Sequence, residues 1–190
     1  MVASIRAALP RQSLRVIEEL AGLAHREFLA RLGTERLGQI RGAGHLDWLP
    51  IEIDLDLCRA VAEVLGPEVE RERGRRCVRT LLDTPLLRPF IAGVDMLFGL
   101  EPAALIGQVP RGWHAVYREA GRVRYEVGVG LRRSLVFEEM PPNMVASGIY
   151  LEAIAGALHS LFDLCRVEGS VEVVCADVDR SRVEFEFCWL

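Results

Sequence analysis

Near its carboxy terminus the chain alternates so regularly that it has few ways to fold. Val171, Val173 and Cys175 point one way, and Glu172, Val174 and Ala176 the other. After a turn over residues 177–181, Val183, Phe185, Phe187 and Trp189 alternate with Arg182, Glu184, Glu186 and Cys188. Successive side chains of an extended chain face opposite sides, so this period of two identifies two strands with unlike faces. Ahead of them Pro141, Pro142 and Asn143 open a long helix predicted over residues 144–164. Ile149, Ala153, Gly156, Ala157 and Ser160 line one side of it, small enough for a close approach to a sheet or another helix. The opposite strip carries Glu152, His159, Asp163 and Arg166.

The same period occurs earlier. Trp113, Ala115 and Tyr117 alternate with His114, Val116 and Arg118; Gly121 makes a turn; then Val123, Tyr125, Val127 and Val129 alternate with Arg122, Arg124 and Glu126. This pattern predicts a hairpin, with a further strand over residues 133–139.

The amino-terminal half has helical spacing. Ser13 is placed to cap a helix reaching about Leu32, with Ile17, Leu20, Ala24 and Phe28 on one face and Gly33 as its stop. Residues 39–44, with Gly42 and Gly44, read as a loop. Pro50 opens the next helix, where Glu52, Asp54 and Asp56 sit near the positive end of the dipole. Its stripe is Ile51, Leu55, Cys58, Ala62 and Leu65, and Gly66-Pro67 ends it. The helix over residues 68–82 starts as a solvated run of opposite charges and turns apolar at Cys77, Val78 and Leu81. A helix over residues 85–98 presents Phe90, Ile91, Val94 and Phe98, and a short one follows over residues 101–107.

Helices first, then strands, helix and strands imply one α+β domain over residues 1–190. A helical layer (about residues 13–108) packs on an antiparallel sheet whose carboxy-terminal half (about residues 112–190) runs strand pair, helix, strand pair.

Charge and motif content exclude more than they assign. A net charge of −4, with Arg as every basic residue and no Lys, argues against a nucleic-acid partner. Cys58, Cys77, Cys165, Cys175 and Cys188 form no close CxxC pair, which points to reduced thiols in a cytoplasmic protein with no metal site. The apolar runs at residues 86–100 and 144–164 are interrupted by Pro89 and Asp95, and by Glu152, His159 and Asp163, so no membrane span is expected. Gly128-Val129-Gly130 and Gly42-Ala43-Gly44 are too short for phosphate loops. No nucleophile–base pair stands out, so the chain is not expected to be an enzyme. His159 and Asp163, four apart, read as a hydrogen-bonded pair beside Arg166 rather than metal ligands. Asp95 on an apolar face is a candidate buried carboxylate, and Cys77 a buried thiol.

Three segments carry a family resemblance: "WLPIEIDLDLCRAVAEVLG", "LLRPFIAGVDMLFGLEPAALIGQVPRGWHAVYREAGRVRYEV" and "GIYLEAIAGALHSLFDLCRVEGSVEVVCADVDRSRVEFEFCW". They resemble the superfamily of heme–nitric-oxide-binding (H-NOX) sensor domains, vinyl-reductase-type sensor domains and TRAPP vesicle-tethering subunits, in particular its uncharacterised bacterial relatives. The resemblance implies a non-enzymatic sensor or adaptor that holds a small apolar ligand and signals through protein contacts; the alternative is a homodimeric scaffold without a ligand. It places Phe90, Phe98, Trp113, Tyr117, Tyr125 and Tyr150 around one interior space, where they either bind that ligand or simply fill the core. Heme-binding members carry a proximal His in the helical stretch ahead of the hairpin. Residues 97–109 contain none and His114 falls past it in a predicted strand, so no heme or other cofactor is expected.

Overall fold

The structure, a computed structural model, describes residues 2–82, 88, 92–93, 100–128 and 132–189. It is an α+β arrangement with two antiparallel sheets. Most of the helix predicted over residues 85–98, including Phe90, Asp95 and Phe98, lies outside the described residues, as does Val129.

The amino-terminal half is helical, with one strand on either side of its first helices: β1 (Ser4–Arg6), α1 (Ala8–Ala21), α2 (His25–Leu32), α3 (Thr34–Gly42), β2 (Trp48–Pro50), α4 (Ile51–Leu65) and α5 (Val69–Leu82). Two expectations fail here. The single helix from Ser13 to Leu32 is broken by a 3-10 turn over Gly22–Ala24, with Gly22 at φ 50°, a conformation that favours glycine. Ser13 does not cap it but lies buried inside α1. Residues 39–42 belong to α3 rather than a loop, because Ile40 is fully buried and pulls that turn onto the core. Pro50 and Gly66 do bound α4, the glycine at φ 96°.

The second half contains α6 (Pro102–Val116), β3 (Tyr117–Arg118), β4 (Arg122–Val127), β5 (Arg133–Glu138), the short α7 (Pro142–Val145), α8 (Gly148–Cys165), β6 (Gly169–Asp177) and β7 (Arg182–Trp189). The main sheet has the order β4-β5-β7-β6, with Val123 opposite Phe137 and Leu135 opposite Phe185. The hairpin expected around Gly121 is therefore corrected: β4 pairs with β5, and residues 113–116 are helical. Tyr117 and Arg118 pair instead with Ile5 and Ser4, in a second sheet of order β2-β1-β3. The guanidinium groups of Arg6 and Arg118 lie over the ring of Trp48 in that sheet, 3.8 and 4.5 Å from its centroid.

The inner face of the main sheet presents Phe137, Val183, Phe185 and Phe187, all fully buried. Phe137 meets Phe185 edge-on at 5.2 Å and Trp113 of α6 at 4.9 Å, and Phe162 of α8 packs over Phe187 and Trp189. The outer face carries ion pairs such as Arg124–Glu138 and Arg182–Glu184.

α8 lies between the sheet and α5, and its small-residue face is used against α5. A methyl group at Gly156 would overlap the Arg71 carbonyl, and one at Gly74 the Ala153 carbonyl. The two backbones pack at glycine distance. By length and composition α8 is apolar enough to cross a bilayer, but in this fold it is mostly buried against α5 and the sheet. Ser147 caps it by accepting from the Tyr150 amide at 3.3 Å, and Arg166 closes it at φ 56°.

Candidate functional site

Helices α1, α4, α5, α6 and α8 converge on a cavity of about 170 Å³. Its wall is largely apolar, with Leu81 from α5, Leu105 and Val109 from α6, and Ile154, Leu158 and Leu161 from α8. Trp113, Tyr117 and Tyr150 border it as well. Trp113 and Tyr117 stack at 3.8 Å, one helical turn apart, and the Tyr150 hydroxyl donates to the Tyr117 hydroxyl at 3.2 Å. Tyr125 is elsewhere, on β4 with its ring against Gly107. Phe90 and Phe98 lie outside the described residues.

Polar groups also reach the cavity, from residues whose sequence context did not mark them as a site. Asp54, Glu70 and Arg73 are 5%, 0% and 3% exposed, so α5's charge run is not wholly a solvated face. Arg73 donates from Nε to Glu70 at 2.9 Å, from Nη1 to the Ser13 hydroxyl at 2.6 Å and from Nη2 to the Cys58 sulfur at 3.0 Å. Cys77 lies 3.5 Å from the Ser13 hydroxyl and donates to the Leu9 carbonyl. Asp54, Arg73, Ser13 and Cys77 all border the cavity.

Burial governs the ionisation of this cluster. It pushes the Asp54 carboxyl above its ordinary range, against the pull of Arg73. It raises Cys58 well above the normal thiol value and Cys77 to about 11, and it raises the Tyr117 and Tyr150 hydroxyls too. Burial opposes the charge on Arg73, yet Cys58, Glu70 and Asp54 hold its pKa well above the usual value. One guanidinium thus stands among two buried carboxyls. Asp54 Oδ1 and Glu70 Oε1 have no hydrogen-bond partner, and neither does Trp113 Nε1.

The remaining sequence candidates lie away from this cavity. Asp163 accepts from Arg75 of α5 at 2.7 and 2.5 Å, and that bond holds its carboxyl below the usual range. His159 faces the Phe162 ring, so the expected His159–Asp163 pair gives way to a bridge between helices. Among the described residues no three His, Cys, Asp or Glu side chains gather as metal ligands.

The arrangement of elements matches known structures. The H-NOX protein from K. algicida in its Fe(II) unliganded form superposes with a TM-score of 0.69 at 8% identity, covering 98% of this chain and 97% of that one. An oxygen-binding H-NOX domain related to soluble guanylate cyclases, in its oxygen complex, gives 0.65 at 14% identity, with 97% and 95% covered. The S. oneidensis H-NOX protein in the Fe(II)NO state gives 0.66 at 9%, with 95% and 98% covered. This chain therefore has the H-NOX fold. No family model matches it, and no curated protein does.

The described lining does not fit an iron porphyrin. Iron needs an imidazole, thiolate, thioether or phenolate ligand. None of the four histidines borders the cavity. His114 sits on α6 ahead of the hairpin, not in a strand as expected, but it is exposed. The Cys77 thiol and both tyrosine hydroxyls are already engaged in hydrogen bonds within the protein, and a space of about 170 Å³ is small for the macrocycle.

Proposed function

We propose that this chain is a sensor domain that admits a small apolar molecule, without heme, and reports its presence through protein contacts. The observation that carries this reading is the apolar cavity lined by five helices of an H-NOX fold. The space is below the roughly 300–1,000 Å³ of drug-sized sites. It is close to the engineered cavity of about 150 Å³ that stays dry and binds benzene or xenon. A molecule bound there touches α5 and α8 together, the two helices packed backbone to backbone. Any adjustment of that contact moves the Arg71–Glu152 and Arg75–Asp163 bridges at the surface. The cavity surface needs no nucleophile for this role, and a non-enzymatic sensor accounts for its composition.

Titration with benzene tests the reading. Saturable binding should raise the thermal unfolding midpoint, and native mass spectrometry of protein purified without additives should detect any retained small molecule. A chain that binds no benzene and retains nothing is a scaffold or a solid-cored protein, and the sensor reading is then wrong.

A further inference from the structure

The polar groups along the cavity are not equally satisfied. Arg73 is engaged by Glu70, Ser13 and Cys58; Cys77 by Ser13 and Leu9; and the two tyrosine hydroxyls by each other. Asp54 borders the same cavity, is 95% removed from solvent and lies close enough to the Tyr150 hydroxyl to feel it, yet its Oδ1 has no hydrogen-bond partner. A buried acceptor left unmet keeps the full cost of its lost hydration. Two valences on the cavity wall are thus unfilled, the Asp54 acceptor and the Trp113 Nε1 donor, and a hydroxyl is the one simple group that can donate to the first and accept from the second.

The surroundings decide what kind of donor. An anionic head would face the Asp54 carboxyl, with Arg73 already committed to Glu70. An ammonium head would have to shed its hydration in a largely apolar wall that already holds the like charge of Arg73, a costly transfer. A neutral hydroxyl is the least costly donor to desolvate, and it meets the carboxyl whether or not the latter holds its proton.

Building on the proposed sensor reading, we infer that the cavity's ligand is a neutral molecule of benzene to phenol size carrying one hydroxyl, which donates to Asp54 while its apolar body fills the space between α6 and α8.

The test compares benzene with phenol on the full chain and on two variants. In the natural chain phenol gains from the hydrogen bond what benzene lacks. In Asp54→Leu the phenol-to-benzene affinity ratio should fall about tenfold, the loss of one buried hydrogen bond, while benzene still binds. In Asp54→Asn, which keeps an acceptor oxygen, most of the ratio should survive. Retained benzene binding in each variant shows that it folds. An unchanged ratio in Asp54→Leu overturns the inference, as would a buried water serving Asp54 in the ligand's place, which gives the same result. Benzylamine or benzoate binding the natural chain more tightly than phenol also overturns it, in favour of a charged head. If benzene binds and phenol has no advantage, only this inference fails. If neither binds, the sensor reading fails with it.

Discussion

The hydroxyl of Tyr150, on the long helix α8, donates to that of Tyr117 at the end of α6, 3.2 Å away and out of reach of solvent. This bond joins two helices that wall the same cavity, at the point where α6 hands the chain to β3. It makes each tyrosine's polar tip acceptable in an apolar setting.

Removing half of this pair should cost more than removing both halves. Tyr150→Phe or Tyr117→Phe alone should lower unfolding free energy by about 1 kcal/mol or somewhat more, because a buried hydroxyl is left alone. The double variant should cost less than either single one. Urea denaturation of the four proteins measures the coupling.

Arg73 is the positive charge set among Asp54 and Glu70. Arg73→Met strands the Glu70 carboxylate and releases Ser13 and Cys58, so a loss of about 3–5 kcal/mol is expected. Arg75→Met, which breaks a partly exposed bridge to Asp163, should cost less than about 1 kcal/mol. Equal losses in chemical denaturation would contradict the assignment of the buried cluster.

The raised pKa of Asp54 has a definite sign in pH dependence. A carboxyl that binds its proton more tightly when folded adds stability that is fully present below its ordinary value of 3.8 and is lost as pH rises through the folded value. Asp163, held below its ordinary range by Arg75, works the other way and loses its contribution as pH falls. Asp54→Asn should therefore gain on the natural chain as pH rises above about 4. Unfolding free energies of both proteins across the acid and neutral range supply the difference curve.

Glycine positions should divide by what surrounds them. Gly156→Ala and Gly74→Ala drive a methyl into a carbonyl of the facing helix and should cost about 2 kcal/mol or more. Gly112 of α6 borders the cavity with open space around it. Gly112→Ala should be stabilising by up to about 1 kcal/mol, through helix propensity and partial filling. Gly112→Leu should exclude benzene. Thermal melts and ligand titration separate the two classes.

Much of the fold was legible from periodicity, and the misreadings have specific causes. Trp113 and Tyr117 are four apart, a spacing that shares one face in a helix and in a strand alike. Gly107, Pro110 and Gly112 resemble breakers, yet α6 runs through them. Asp95, singled out as a carboxylate on an apolar face, lies outside the described residues, whereas the buried Asp54 was not singled out. The signal was present: Asp54 is three residues after Ile51 and four before Cys58, on the stripe itself. Arg73 is likewise four residues before Cys77 and eight before Leu81. Charged residues on a stripe are ordinarily assigned to solvent, and only burial by a second element reverses that.

The strands of the main sheet, their inward Phe137, Phe185 and Phe187, the ends of α4 and the close-packing face of α8 all follow from the order of residues, because side-chain direction repeats with the local backbone period. Which charges became interior, that Tyr117 found Ile5 as its strand partner, and that a space remained among five helices were decided by tertiary structure. These depend on contacts between residues tens of positions apart, whose shapes either fill the interior or leave it short, and no local period records that.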